Sequence, residues 1–286
     1  MYEECTLCGF NCKVNRNEQC GVCRCKVNPK LALVSKHMWE EPCISGNRGS
    51  GTIFFSGCNF SWIFCQNYEI SQNDFWKEVS IERLAEIFIE QQNRGVPNIN
   101  LVSPTPYVPS IIEAIKIAKK KGLNIPIIYN TNGYESAETI KMLKGFVDVY
   151  LPDLKYFDDE VSIKYSKVPH YFETASKAII EMYKQVGTPI FDEDGIIKKG
   201  LIIRHLIMPG NVLQTKKILG WIKDNLPEDI YISIMAQYFP THKAKEDSLI
   251  NRKISQKEYE IVEELITNFK NGYMQDLRHT WGRICS

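Results

Sequence analysis

The sequence predicts an α/β fold in which a parallel sheet is covered by helices. Strand and helix patterns alternate about six times between residues 52 and 269. The strand segments are continuous apolar runs, such as TIFFS at 52–56, which is typical of strands buried on both faces. Polar residues follow the strands, as at 103–107 and 130–134. Six such units fit either a partial (β/α) barrel or a doubly wound sheet, and periodicity alone does not choose between them.

The predicted elements follow one another as repeated strand–helix units. Strands are predicted at 52–56, 98–103, 125–131, 147–155, 200–208 and 230–236. One helix is predicted after Ser80, and others at 110–121, 136–144, 171–187, 213–225 and 255–269. Ser80 can cap its helix, and Gly122 can end the next one. Segment 188–199 is predicted to form a turn or a small hairpin inside the domain.

The first 50 residues differ from the rest of the chain. They are rich in cysteine, asparagine and glycine and show no sustained helical period. We interpret residues 1–50 as a small extension that is organised by metal or by packing on the main body. Residues 51–286 then form the α/β core.

Composition excludes two classes of partner. The net charge is +1, so bulk attraction to nucleic acid or to an anionic membrane is not expected. No apolar stretch reaches the roughly 20 residues that span a bilayer. The N-terminal sequence MYEECTLCGFNC has no basic region followed by an apolar run, so we expect no secretory signal and a cytoplasmic location.

The ten cysteines therefore require an explanation other than disulfides, because cytosolic thiols stay reduced. Nine of them fall within the first 65 residues, at positions 5, 8, 12, 20, 23, 25, 43, 58 and 65. Such density in a cytosolic protein indicates metal binding or catalysis. Cys285 stands apart near the C-terminus and is interpreted as incidental.

Cys58, Trp62, Phe64 and Cys65 lie in a loop just after the first predicted strand. Closely spaced thiolates on a loop can hold an iron–sulfur cluster. The loop resembles that of radical S-adenosylmethionine (SAM) enzymes, in which Cys-x3-Cys-x2-Cys has an aromatic residue before its last cysteine. Here Cys58, Trp62 and Cys65 stand in the three cysteine places, and Phe64 in the aromatic one.

The rest of the chain resembles the pyruvate formate-lyase-activating-enzyme-like branch of that superfamily. The matching stretches run in the right order along nearly the whole chain, at 37–46 (HMWEEPCISG), 48–59, 65–71, 98–109 (NINLVSPTPYVP), 129–136 (YNTNGYES), 150–159, 202–210 and 234–244. The resemblance implies a partial (β/α)6 TIM-like barrel as the core.

The resemblance also implies a chemistry. In such enzymes three cysteines bind three irons of a [4Fe–4S] cluster, and the fourth iron holds the amino and carboxylate groups of SAM. An electron from the reduced cluster cleaves SAM, and the 5′-deoxyadenosyl radical takes a hydrogen atom from a substrate. In the activating branch the substrate is a glycine of a partner glycyl-radical enzyme. An electron donor such as flavodoxin or ferredoxin is implied as a further partner.

Six positions are implied as cofactor contacts by the same resemblance. They are Phe64 near the adenine, Ser103 in place of the glycine-rich strand end that meets the methionine amino group, Thr131 and Asp153 beside a cation at the methionine carboxylate, Lys155 in the matching Asp-x-Lys segment, and Arg204 on the matching fifth strand. The second strand departs from the better-known Gly-Gly-Glu pattern and shows Val-Ser-Pro at 102–104.

Trp62 is the larger departure, because an indole nitrogen is only a hydrogen-bond donor and cannot replace a thiolate. Three interpretations remain open. The chain has lost the cysteine and holds its cluster poorly or not at all; Cys43 completes the site; or the tryptophan is a sequencing or engineering artefact, since one base change converts a cysteine codon. Loss or artefact is favoured, because a distant ligand requires a coincidence of geometry.

The N-terminal cysteines form a second candidate metal site. Their spacings, Cys-x2-Cys-x3-Cys and Cys-x2-Cys-x-Cys, suit a tetrahedral zinc site or an accessory iron–sulfur cluster. The resemblance matches Cys5, Cys8, Cys12 and Cys23 to such a site, with Cys20 and Cys25 extra or alternative ligands. Buried, reduced cysteines are the structural alternative, but six within 21 residues favour metal.

Several polar residues have structural explanations as well. Asp153 and Lys155 share a face of a strand and could be a simple ion pair. Arg204 lies among apolar residues and is expected to face an anion, either a carboxylate or the ligand. His205 is expected to be a hydrogen-bonded core histidine, and Glu40 and Glu41 are interpreted as part of a capped turn.

The leading functional hypothesis is a radical SAM enzyme that resembles an activating enzyme for a glycyl-radical partner. The alternative is a cluster-deficient, non-catalytic or metal-binding relative that keeps the fold. A zinc-dependent nucleic-acid-binding module is a third hypothesis, which the few basic residues among the N-terminal cysteines do not favour.

Overall fold

The computed structural model describes residues 2–72, 76–278 and 280–285. Within these ranges the strands are β1 (Lys30–His37), β2 (Ser50–Phe55), β3 (Lys77–Glu78), β4 (Ile99–Val102), β5 (Ile127–Thr131), β6 (Val149–Pro152), β7 (Ile190–Phe191), β8 (Ile197–Leu206), β9 (Tyr231–Met235), β10 (Asn271–Gln275) and β11 (Trp281–Cys285). The α-helices are α1 (Pro42–Ser45), α2 (Tyr68–Gln72), α3 (Ile81–Asn93), α4 (Val108–Lys120), α5 (Ala137–Met142), α6 (Asp159–Ser166), α7 (Tyr171–Val186), α8 (Val212–Asn225) and α9 (Gln256–Ile266).

The strands form one mixed sheet in the order β11-β10-β9-β8-β6-β5-β4-β2-β1-β3, with β7 paired to β8 outside this path. The seven strands from β2 to β10 in this order run parallel. Antiparallel pairs extend the sheet on both sides, β1 beside β2 and β11 beside β10. The fold is therefore α/β, as the alternating pattern predicts.

Each predicted strand and helix has a counterpart in the structure. The six strands correspond to β2, β4, β5, β6, β8 and β9, and the six helices to α3, α4, α5, α7, α8 and α9. Ser80 caps α3 by accepting a hydrogen bond from the Arg83 backbone N–H at 3.1 Å. Segment 188–199 contains the antiparallel pairing of β7 with β8, so the predicted hairpin is confirmed.

The first 50 residues are less irregular than predicted. β1 is eight residues long and pairs antiparallel with β2 from Leu31↔Phe55 to His37↔Ser50. The predicted boundary after residue 50 thus falls inside β2, whose first residue is Ser50, and β1 of the predicted extension pairs with this strand. The sequence KLALVSKH conceals this strand because polar residues interrupt it and most of its positions are partly exposed.

Helices cover the sheet through apolar faces. In α3, Leu84, Ala85 and Phe88 are fully buried, and in α4 Ile111 and Ile115 are. This spacing is that of an amphipathic helix that packs one face on a core. None of the helices in the described part of the chain is both long and apolar enough to cross a membrane.

Candidate functional site

A groove with a volume of about 160 Å³ opens where β6, β8 and β9 end and the loop after β2 passes. Its wall includes Trp62, Phe64, Cys65, Asp153, Lys155, Arg204, Gln237 and Tyr238. The carboxyl ends of parallel strands are where α/β folds build ligand sites. Four of the six predicted cofactor-contact residues, namely Phe64, Asp153, Lys155 and Arg204, therefore lie around one groove.

The loop after β2 carries two buried thiols. Cys58 and Cys65 are each 7% exposed, and neither is in a disulfide. The Cys58 sulfur accepts hydrogen bonds from the Phe60 backbone N–H at 3.4 Å and from Asn132 Nδ2 at 3.7 Å. Burial raises the pKa of the Cys58 thiol to about 12, so without metal it is a neutral thiol at pH 7.

Trp62 is packed into the wall of the groove. Its indole stacks on Phe64 with 6.0 Å between ring centres and 8° between planes, and it meets the edge of Phe60 at 5.4 Å. Its Nε1–H is buried and has no hydrogen-bond partner among the described residues. The ring thus forms a hydrophobic plug that packs between Phe60 and Phe64 in this wall.

The loop as it stands does not fit a three-cysteine cluster. Cys58 and Cys65 supply two thiolates, and the residue between them has no atom that can ligate iron. Within the residues that the structure describes, no three Cys, His, Asp or Glu side chains already stand together as metal ligands. No catalytic step through a cluster can be derived for this sequence.

A buried charge network forms the floor of the groove. Asp153 receives Lys155 Nζ at 2.8 Å on one oxygen and Arg204 Nε at 3.1 Å on the other. Burial alone would raise the pKa of Asp153, but the two cations hold it below its usual value. Burial lowers the pKa of Lys155, against the attraction of Asp153. Arg204 therefore faces carboxylates, as predicted.

The segment between β1 and β2 contributes to this network, which the sequence did not indicate. Glu40 accepts hydrogen bonds from Asn100 Nδ2 at 2.9 Å and Asn130 Nδ2 at 3.5 Å, and lies 3.5 Å from Arg204 Nη1. These partners stand on β4, β5 and β8, so the sheet curves around this carboxylate.

The expectation of a capped turn at Glu40 and Glu41 was wrong. Glu41 occupies the N-cap position of α1, but its side chain makes no capping hydrogen bond. It instead accepts a hydrogen bond from Ser233 on β9 at 2.7 Å and is 1% exposed. Burial raises the pKa of both carboxyls, against the attraction of Arg204. Both side chains thus belong to the interior of the sheet and not to its surface.

Ser103 and Thr131 are not among the residues that line the groove. Ser103 follows β4 in a left-handed conformation with φ +58°. The Thr131 hydroxyl donates to Glu135, whose same oxygen accepts from Thr105 at 2.5 Å and Tyr129 at 3.4 Å. Burial raises the pKa of Glu135. The predicted role of Thr131 at a cation stays a prediction, since its hydroxyl is engaged elsewhere here.

A second pocket lies in the N-terminal segment. Cys5, Cys8, Cys12 and Cys23 all line it, together with Leu7, Phe10, Arg16, Val22, Asn59, Thr105 and Pro106. These are the four cysteines that the resemblance matches to a second site. Cys20 is exposed, and Cys25 packs against Gly57 instead. The four cysteines thus line one pocket, but no three of them are already arranged as ligands of one metal ion in the described residues, and their ligation of a metal stays a prediction.

The thiols of this pocket differ in acidity. Burial raises the pKa of Cys8 to about 12. The hydrogen bond with the Cys25 thiol, together with the positive charge of Arg16, lowers the pKa of Cys23 to about 6 against the effect of burial. A lowered pKa favours the thiolate, the form that binds metal.

The loop after β2 and the N-terminal pocket are connected through Asn59 and Asn132, two residues that the sequence did not single out. Asn59 lines the N-terminal pocket and accepts a hydrogen bond from Asn132 Nδ2 at 2.7 Å, and the same amide contacts the Cys58 sulfur. Asn132 follows β5, so its place at a strand end was the available signal. The loop at Cys58 and the N-terminal segment are thus in direct contact.

Cys43 lies away from the loop. It packs in a separate apolar cluster with Ile44 and Tyr273, whereas Cys58 belongs to the main core. Burial raises the pKa of the Cys43 thiol to about 12, against a hydrogen bond with Tyr273. The structure therefore does not bring Cys43 together with Cys58 and Cys65 as a replacement ligand.

His205 is a core histidine, as predicted. Nδ1 lies 2.7 Å from the Leu154 carbonyl oxygen and Nε2 lies 2.9 Å from the Thr215 hydroxyl. Both ring nitrogens are engaged, so the side chain has no capacity left for a ligand. Burial lowers its pKa to about 4.

Comparison with known proteins gives a match over the core. The family model of the Radical SAM superfamily matches residues 52–222. An uncharacterized protein of Methanocaldococcus jannaschii, MJ0674, is 35% identical over 286 residues, covering 96% of this chain and 78% of that protein. A second uncharacterized protein of the same organism, MJ0808, is 25% identical over 203 residues, covering 67% of this chain and 54% of its own.

Solved structures share the fold at low sequence identity. Methylornithine synthase (PylB) aligns with a TM-score of 0.52 and 16% identity, over 75% of this chain and 60% of that one. Streptococcus suis SuiB bound to S-adenosylmethionine aligns with a TM-score of 0.50 and 16% identity, over 77% and 48%. The native anSMEcpe structure with bound AdoMet and a peptide gives 0.50 and 14%, over 74% and 55%. The chain thus spans about half to three fifths of these proteins.

Proposed function

The chain belongs to the radical SAM superfamily, and from this premise we propose that the groove beside Phe64 binds S-adenosylmethionine. Three features support this. The groove opens at the carboxyl ends of parallel strands, Phe64 lines it in the place that the resemblance puts beside an adenine, and Asp153 and Arg204 carry charges that complement an amino acid end. SAM is also the molecule bound in the structures of SuiB and anSMEcpe.

The parent activity of this scaffold, we propose, is reductive cleavage of SAM at a [4Fe–4S] cluster, and this sequence has lost it. One observation carries the proposal: Trp62 stands at the sequence position that the resemblance gives to the middle cysteine, and its buried, unpartnered N–H cannot ligate iron. The chain as written is then a SAM-binding protein without cleavage activity. A cysteine at position 62 restores the third ligand.

SAM binding is tested by calorimetric titration of the chain as written. Replacing Phe64 by alanine should weaken binding about tenfold, because stacking on a base contributes on the order of 1–3 kcal/mol. Tyr68→Ala is the matched control, since Tyr68 is an aromatic residue near the loop that stacks on His242 instead. Equal losses from both variants, or no binding of SAM at all, would contradict the assignment of the groove.

The lost cluster is tested by anaerobic reconstitution of the chain as written, Trp62→Cys and Trp62→Ser. Trp62→Cys should gain about four irons over the other two and release 5′-deoxyadenosine after reduction. Cys58→Ser added to Trp62→Cys should remove that iron, which assigns it to the loop. SAM cleavage by the chain as written would refute the proposal, and its loss with Cys43→Ala would identify Cys43 as the rescuing ligand.

For the substrate of the parent activity, we propose a glycine of a partner glycyl-radical enzyme, with flavodoxin or ferredoxin as electron donor. The support is the ordered run of stretches that resemble the activating branch, such as 98–109, 150–159 and 202–210. Trp62→Cys incubated with a candidate partner carrying deuterated glycine should yield deuterated 5′-deoxyadenosine. Unlabelled product in that assay would exclude glycine as the hydrogen donor.

We also propose that Cys5, Cys8, Cys12 and Cys23 hold a metal centre, either zinc or a second iron–sulfur cluster. The support is that all four line one pocket. Metal analysis of the purified chain should find the metal, and Cys8→Ser should lose it. Cys20→Ser is the matched control, because Cys20 is an exposed cysteine of the same segment. Equal metal content in all three proteins would contradict the site.

A further inference from the structure

We propose that Arg16 is the counter-charge of the metal centre in the N-terminal cysteine pocket and sets how tightly that centre is held. This inference rests on the proposed centre at Cys5, Cys8, Cys12 and Cys23. It adds a residue that neither the cysteine spacing nor the family resemblance indicates. Arg16 lines the same pocket as the four cysteines and is 1% exposed.

The hydrogen bonds of Arg16 leave its charge uncompensated. Nε donates to the Cys25 carbonyl oxygen at 3.2 Å, and the two terminal nitrogens donate to the carbonyl oxygens of Lys26 and Pro106. All three acceptors are neutral. The ring of Tyr2 lies 5.0 Å from the guanidinium and that of Tyr107 lies 6.0 Å away, so aromatic faces complete its surroundings.

Burial alone would lower the pKa of Arg16, but the neighbouring groups Cys23, Cys25, Tyr2 and Cys5 raise it above its usual value. A buried cation without an anion is costly, so a native protein retains one where an anion forms nearby. Among the residues that line the pocket with Arg16, only the cysteines can become anions.

A metal centre supplies that anion whichever metal is bound. Four thiolates around a zinc dication carry a net charge of roughly −2, and four thiolates around an oxidised [4Fe–4S] core carry the same. A single buried guanidinium against the wall of the pocket offsets about half of this charge. A buried guanidinium at this pocket therefore suits either metal, because both bind the cysteines as thiolates.

A structural role is the competing explanation, because Arg16 ties the N-terminal segment to the turn after β4 through Pro106. The two roles differ in what a charge-neutral substitution changes. If Arg16 only holds backbone carbonyl groups together, it stabilises the metal-loaded and the metal-free protein equally. A counter-charge stabilises the loaded protein more, and therefore changes metal affinity.

The test uses the full chain with Arg16→Gln, Arg16→Lys and the exposed Arg24→Gln as control. If the centre is zinc, chelator competition should show at least about tenfold weaker binding for Arg16→Gln. Arg16→Lys, which keeps the charge, and Arg24→Gln should stay within about threefold of the parent. If it is an iron–sulfur cluster, a redox titration followed by electron paramagnetic resonance should give a lower midpoint potential for Arg16→Gln only.

Two results overturn the inference, and they are distinguishable. If the parent chain holds no metal that Cys8→Ser loses, the centre itself is absent and the proposed site falls with the inference. If the parent chain holds metal and Arg16→Gln keeps the same affinity or potential, the centre stands and Arg16 only holds backbone carbonyl groups together. Equal loss of unfolding stability in the loaded and metal-free forms of Arg16→Gln confirms that second outcome.

Discussion

The ammonium group of Lys155 lies 4.8 Å from the centre of the Trp62 indole ring. The same nitrogen is 2.8 Å from Asp153 Oδ2, so one buried cation serves both a carboxylate and an aromatic face. A cation over a tryptophan ring is attracted by the negative face of the π system, more strongly where water is excluded. Trp62 therefore interacts with the charge network of the groove, so it does more than fill the position of a lost cysteine.

Removing this indole should cost stability in the metal-free protein. Trp62→Cys loses the contacts with Phe60 and Phe64 and the Lys155 interaction, and we expect a loss of about 2 kcal/mol in the free energy of unfolding. Urea unfolding under anaerobic conditions with chelator measures it. Trp62→Phe keeps an aromatic ring and should lose about half as much. Anaerobic loading with iron and sulfide should restore the stability of Trp62→Cys but not that of Trp62→Phe.

The opposite result would be informative about the loop. If metal-free Trp62→Cys unfolds at the same urea concentration as the chain as written, the aromatic packing around position 62 contributes nothing. The interpretation of Trp62 as an integrated plug would then be wrong.

Truncating Lys155 should lower the free energy of unfolding, because the buried carboxylate of Asp153 then loses one of its two cationic partners. Lys155→Met leaves Asp153 with Arg204 as its remaining cation, and removing one partner of a buried ion pair typically costs about 3 kcal/mol. The matched control is Lys177→Met, because Lys177 pairs with Glu173 at 2.7 Å but the two side chains are 64% and 65% exposed. Because solvent screens that exposed pair, its loss should change the stability little. If Lys155→Met and Lys177→Met lose the same free energy of unfolding in urea, burial of the charge network does not increase its contribution to stability.

The close contact between the loop after β2 and the N-terminal segment requires a glycine at position 57. A Cβ at this position would stand 2.2 Å from the Cys25 sulfur, and its φ is +82°. We expect Gly57→Ala to cost about 3 kcal/mol, from strain in the left-handed backbone and from overpacking. Gly95→Ala separates the two causes, since Gly95 has φ +75° but no neighbour within 4 Å, and should cost about 1 kcal/mol.

A double-mutant cycle of Gly57→Ala with Cys25→Ala isolates the contact. The pair should show a favourable coupling of at least about 1 kcal/mol, because removing the sulfur relieves the clash. Additive effects within error would mean that the N-terminal segment does not press on the loop.

The fold was predictable because its signals are local. Continuous apolar strands and a capping serine at position 80 mark the elements from the sequence alone. β1 was missed because polar residues interrupt it and most of its positions are partly exposed, so it shows no continuous apolar run. β10 and β11 follow the last predicted helix and carried no recognised pattern; β11 pairs antiparallel with β10 along five residues.

The site was predictable only where its residues follow strands. Asp153, Lys155 and Arg204 were identified through the family resemblance, on or just after predicted strands, and all three line the groove. Glu40 was missed because its partners Asn100 and Asn130 lie 60 and 90 positions away, and a loop residue carries no local sign of such contacts. Such charge pairing inside the sheet depends on strands that are far apart in the sequence and meet only in the folded protein.

His205 should make the folded state sensitive to acid. Burial lowers its pKa to about 4, from 6.5 in an exposed histidine. Between these values the unfolded chain binds a proton that the folded chain does not, so stability is full above pH 6.5 and is lost as pH falls towards 4. The loss reaches about 3 kcal/mol at pH 4, since each pKa unit corresponds to about 1.4 kcal/mol.

Comparing pH profiles of urea unfolding isolates this contribution from that of the carboxyl groups. His205→Gln can still donate to the Leu154 carbonyl oxygen but has no titration in this range, so its stability should fall by about 3 kcal/mol less than that of the parent between pH 6.5 and pH 4. His170→Gln is the control, because the His170 side chain is 74% exposed and should follow the parent profile. If His205→Gln and the parent have parallel profiles, His205 takes up its proton within the folded core, and the engagement of both ring nitrogens by Leu154 and Thr215 does not resist it.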